Sequence, residues 1–222
     1  MESRTKILNR IILAITVSMA ILIQRNGFSI TRFSPWVDLL LAIFAPLISY
    51  SLISNFTFSF LNKSTTFQKI IWGRNYLQGF WTYTSIDDEG NRFLGVWRID
   101  QDTDGASVIA FGLDNNTLFK RTRVRSIGHI YEFNRLLEVI NERVDWEFSK
   151  IASYSKTTMS ADMPERDGLF KYPFIMRGET WIYGGPRDGT VTKNVIFKKY
   201  VGVKSEAALI KKIADEKGIK LE

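Results

Sequence analysis

The side chains best suited to recognising a ligand in this chain are arginines and aromatics at alternating positions. Arg121, Arg123 and Arg125 share one parity, with Thr122 and Val124 between them. On a strand that spacing sets three guanidinium groups along one face at roughly 6.5 Å intervals. Each can grip a phosphate through two parallel hydrogen bonds. The same row is equally compatible with a solvated outer face. Trp146 and Phe148 alternate in the same way, as do Arg177, Glu179 and Trp181, and Trp81 with Tyr83. Aromatic planes and arginines on inward positions make a pocket for a nucleotide, stacking on the base and placing charge on the phosphate. Core packing accounts for the tryptophans too. The candidate ligand-binding set is Trp81, Tyr83, Trp97, Arg121, Arg123, Trp146, Arg177 and Trp181.

Catalytic chemistry finds little support. The chain has no cysteine and one histidine, His129. That excludes thiol nucleophiles, cysteine-based zinc sites and any site needing two histidine ligands. There is no phosphate-cradling P-loop, no nucleophile elbow and no H-E-x-x-H pair. Glu132, Glu147 and Glu179 sit among ordinary strand charges. The reading is a binding protein without catalytic residue, metal or cofactor, and not an enzyme.

The elements that must position these residues fall into two unlike parts. Residues 1–62 are rich in Ile, Leu, Phe and Ser, whereas the rest mixes aromatics with interspersed charge. Ile7 to Gln24 and the uncharged Leu39 to Leu61 predict two transmembrane helices in a hairpin, with Pro46 kinking the second. A cleaved signal peptide is the alternative for the first, but no small-residue cleavage site follows Ile23. Basic residues before the first and after the second stretch place both termini in the cytoplasm. Residues 63–76 predict an amphipathic connector.

From residue 77 the period switches to two. Strands are predicted at 78–86, 92–100, 107–113, 118–127, 129–136, 144–154, 174–183 and 191–201, with the acidic turn Asp87-Asp88-Glu89-Gly90 making a hairpin of the first two. Eight short strands predict a compact antiparallel β-barrel over 77–202. Ser205 to Gly218 predicts a helix within 203–222, capped at both ends and covering one barrel end. The net charge of +7 is spread thinly, without the dense basic stripe of a polymeric nucleic-acid binder. It suits anionic lipid or a small phosphorylated ligand.

Gly79-Phe80-Trp81 opens the first strand as in lipocalin-like barrels, where such a tryptophan plugs one end. Together with Gly79-Phe80-Trp81-Thr82-Tyr83, the acidic first turn and the closing strand Asn194 to Tyr200, the order of parts resembles a bacterial family: the two-transmembrane, β-strand-rich effectors of CBASS antiphage systems. The likeness covers about residues 5–201; Ser205 to Glu222 lies outside it. It implies a barrel that binds a cyclic dinucleotide made by a partner CD-NTase-type nucleotidyltransferase. It further implies self-association into homo-oligomers in the inner-membrane lipid bilayer, membrane disruption and cell death. The alternatives are a membrane-anchored scaffold with a protein partner and a lipocalin-like carrier of an apolar ligand.

Overall fold

Alternation with period two begins at Gly79, and from there the computed structural model is a ring of antiparallel strands. The structure describes residues 4–25, 35–87, 90–102, 105–128, 130–133, 136–145, 151–185 and 188–220. The chain divides into two units, Met1–Ile71 and Trp72–Glu222.

The first unit holds α1 (Arg4–Arg25), α2 (Pro35–Lys63) and most of α3 (Thr65–Trp72). α1 packs against α2. The expectation of two membrane-spanning helices is overturned: among the described residues, no helix is long and apolar enough to cross a membrane. Polar residues interrupt both segments. Arg4, Lys6, Asn9 and Arg10 occupy the first turns of α1, with Thr16 and Ser18 beyond. Ser49, Ser51, Ser54, Asn55 and Ser59 recur along the second half of α2. Residues 63–76 hold α3 followed by a 3-10 turn, Gly73–Asn75.

The second unit is built from β1 (Gly79–Ile86), β2 (Arg92–Gln101), β3 (Ala106–Leu113), β4 (Lys120–Ser126), β5 (Tyr131–Phe133), β6 (Leu136–Asp145), β7 (Ile151–Ala161), β8 (Glu165–Asp167), β9 (Phe170–Tyr172), β10 (Ile175–Tyr183), β11 (Val191–Tyr200) and the helix α4 (Glu206–Lys217). Eight strands run β4-β3-β2-β1-β11-β10-β7-β6, and β6 pairs back onto β4. This closes an eight-stranded antiparallel barrel. β6 is shared: its start carries β5, and its end pairs with β4 from Asn141 to Asp145. β8 and β9 form a separate hairpin.

The number of strands in the barrel is as expected, but two assignments are not. Of the described residues in 129–136, Tyr131–Phe133 form the side strand β5 and Leu136 begins β6, and 144–154 takes in the end of β6 and the start of β7. Leu136 to Asp145 form one long strand. At the other boundaries turn chemistry decides. The Asp87 carboxylate accepts the amide of Asn91 at 2.8 Å and Gly90 takes a positive φ of 83°, so β1 and β2 end where the sequence indicates.

Strand alternation sorts side chains to lumen or outer wall. Trp81, Trp97, Ile99, Val108, Val139, Met159, Met176, Val195 and Phe197 face inward and form one buried core. A second core lies outside. There Leu209, Ile213 and Ala214 of α4 pack on Leu94, Val96, Leu113 and Tyr200. α4 therefore clads the outer wall and does not cover a barrel end, because its apolar stripe matches the opposite parity of β2. Its ends are as read: Ser205 Oγ accepts the amide of Ala208, and Gly218 stops the helix with a φ of 69°. The Tyr200 hydroxyl donates to Glu216 at 2.8 Å and ties helix to wall.

Candidate functional site

One end of the lumen is plugged. Trp81 is fully buried and its indole N–H donates to the carbonyl of Leu77 at 2.7 Å. Gln101, also buried, accepts the amides of Leu77 and Gln78 at 2.8 and 3.2 Å and donates to the carbonyl of Asn75 at 2.9 Å. The Lys199 ammonium lies 4.4 Å from the ring centres of both Tyr76 and Tyr172, a cation–π seat that suits a charge removed from water.

The other end is hollow. A cavity of about 360 Å³ opens there, lined by residues of β1 to β4, β6, β7, β10 and β11. Its floor is aromatic: Tyr83 and Trp97 line it, and Phe197 joins them with ring centres 5.8 and 4.7 Å away respectively. Small inward residues make the space. A side chain at Gly95 would put its first carbon 2.6 Å from the Tyr83 ring, and one at Gly112 would lie 2.4 Å from Thr122 Oγ1. Glycine at both keeps the ring seated and the volume open.

The wall above the floor is polar. Ser153, Ser155 and Thr157 of β7 face Thr180 of β10 and Thr192 of β11, with Thr157 and Thr180 hydroxyls 3.1 Å apart. Asn141 and Arg143 project from β6. The strand register brings Arg143 beside Val124, which in turn pairs with Ala110 and that with Trp97. One row of side chains thus runs from aromatic floor to guanidinium.

At the mouth stand Arg92, Arg121 and Asp114. Hydrogen bonds from the amides of Thr117 and Asn116, reinforced by Arg121, hold the Asp114 carboxyl at about 2. It is charged at neutral pH and paired with Arg121. Three lining arginines against one aspartate leave the described cavity lining net positive, which favours an anion.

Of the residues expected from sequence, Tyr83, Trp97 and Arg121 line this cavity. Trp81 is the plug. The arginine row faces outward, with Arg121 reaching only the rim: residues of the opposite parity, Thr122 and Val124, take the inward positions. Arg123 is exposed, and Arg125 pairs with Glu142 on the outer wall. Arg177 and Trp181 are also on the outer wall, since Gly178, Thr180 and Ile182 point inward. Arg177 donates to Asp162 at 3.2 Å and Trp181 to Glu179 at 3.1 Å. Trp146, Phe148, Glu147 and His129 lie outside the described residues. Sequence reasoning missed Asn141, Arg143 and the hydroxyls of β7. Their signal was present, as Leu137, Val139, Asn141 and Arg143 alternate, and so do Ser153, Ser155, Thr157 and Met159.

Among the described residues, no group of three or more His, Cys, Asp or Glu side chains is placed to hold a metal ion. No protein-family model, curated protein or solved structure matches the chain.

Proposed function

We propose that the barrel is a binding module for a small anionic molecule carrying a planar ring, with a cyclic dinucleotide as the first candidate. The observation that carries this reading is the cavity: an aromatic floor, a hydroxyl-rich wall and a net positive lining in one concave site. Its volume falls within the range of small-molecule pockets. Aromatic floors stack on nucleobases, and arginines take the phosphate. The resemblance drawn from the sequence supports the same ligand class. A carrier of apolar ligands would need a lumen free of charge, and Arg143 stands in this one.

A thermal shift screen of the full chain against cyclic dinucleotides, mononucleotides and fatty acids tests the proposal. At tenfold excess over its dissociation constant, a ligand specific for the folded state stabilises it by about 1.4 kcal/mol. Nucleotides should raise the melting temperature and fatty acids should not. A response to fatty acids alone would replace this reading with the carrier.

A further inference from the structure

Among the described side chains that line the cavity, Asn141 differs from the rest. It is fully buried, yet neither its amide oxygen nor its amide nitrogen has a hydrogen-bond partner. Buried amides are normally satisfied at both poles, and a leucine of similar size would remove the cost of leaving them unpaired. Its position explains what could pair with it. Asn141 sits on β6 between Ser126 of β4 and Ser155 of β7. The hydroxyl of Ser126 accepts the amide of Val108 at 2.9 Å. Asn141 lines the cavity on the same face of β6 as Arg143, two residues further along.

A carboxamide presents one donor and one acceptor side by side. Its complement is a ligand edge with an acceptor next to a donor, as in a lactam, or the reverse, as in an amino-substituted ring nitrogen. We infer that Asn141 is the specificity-determining residue of the cavity, reading such a donor–acceptor edge on the ring while Arg143 takes the anionic group. This rests on the cavity being a ligand site for ring-bearing anions. It adds which feature of the ring is selected: not flatness, which Tyr83 and Trp97 sense, but a paired hydrogen-bonding edge. A ligand with an anion and a ring but a blocked edge leaves the amide unpaired in the complex, and discrimination by unpaired buried polar groups is steep.

The test uses the full chain and three probes: uridine 5′-monophosphate, its N3-methyl analogue and ribose 5-phosphate. Titration calorimetry on the wild type should show the unmethylated nucleotide binding at least tenfold tighter than the methylated one. Asn141→Leu should bind both equally, at the weaker level, and should melt above the wild type without ligand. Asn141→Ala removes both the donor and the acceptor without adding bulk. It should lose the preference as well, and it serves if the leucine variant does not fold.

Equal binding of the two nucleotides to the wild type overturns the role of Asn141 and leaves the cavity a ligand site. A melting temperature of Asn141→Leu below the wild type does the same, because it marks an amide that holds the barrel together. If none of the three probes binds, the reading of a paired edge by Asn141 falls; if in addition no cyclic dinucleotide raises the melting temperature, the ring-bearing-anion site falls with it.

Discussion

The two ends of the barrel lumen use the same strands and opposite chemistry. At the plugged end polar atoms are few and paired: the Trp81 indole on Leu77, and Gln101 on three backbone groups. At the open end polar atoms are many, and among the described ones Asn141 is buried with both poles unpaired, as is the Ser85 hydroxyl on β1. The open end is hollow because Gly95, Gly112 and Ala110 stand where bulky side chains would fill the lumen. A fold that needed only stability would repeat the lower pattern along its whole length. The difference teaches that stability is concentrated at one end, leaving the other free to carry unsatisfied groups.

The comparison can be broken first at the plug. Trp81→Ala should cost about 3–5 kcal/mol, read from denaturant unfolding, whereas truncations among the wall hydroxyls should cost far less. An equal loss from both ends would remove the asymmetry. Gln101→Leu comes next, at about 1–3 kcal/mol, since the amides of Leu77 and Gln78 and the carbonyl of Asn75 lose a buried partner.

Tyr200 belongs to neither end and sharpens the contrast as an outside reference. Burial, followed by its bond to Glu216, pushes its phenol up to about 12. Folding therefore favours the protonated form, so this contribution is complete below about pH 10 and drains as pH rises towards 12. Tyr200→Phe should cost about 1 kcal/mol at neutral pH and flatten that alkaline loss.

The smallest effect is expected at the mouth. Asp114 is held below the usual carboxylate range, so its contribution is complete above about pH 4 and is lost as pH falls towards 2. Asp114→Asn should remove only that acid-limb slope in a melting-temperature profile. A large loss at neutral pH would mean that the open end carries the fold after all.

How far the sequence revealed this molecule depended on local signals. The first hairpin was legible because Asp87 and Gly90 mark its turn, and α4 because Ser205 and Gly218 mark its ends. The boundary between β6 and β7 was not. Residues 146–150, outside the described residues, read Trp-Glu-Phe-Ser-Lys, with no glycine, proline or asparagine to mark a boundary in the sequence. That error hid Asn141 and Arg143 between two misplaced strands. The arginine row of β4 failed differently. Alternation reveals that two faces exist but not which one is inward, and only pairing of Thr122 with Gly112 and Val124 with Ala110 decides it. In the N-terminal unit apolar content alone suggested spans that the described helices do not provide.

The pairing of β1 with β11 has a consequence for how the protein is made. Thr82 and Lys198 are register partners 116 residues apart. At about 5–20 residues per second, a ribosome takes roughly 6–23 s to deliver the second after the first. Throughout that interval the free side of β1 is an open edge able to recruit foreign strands. The ring can be completed only once residue 200 is released, so the nascent chain waits, incomplete, for its last strand.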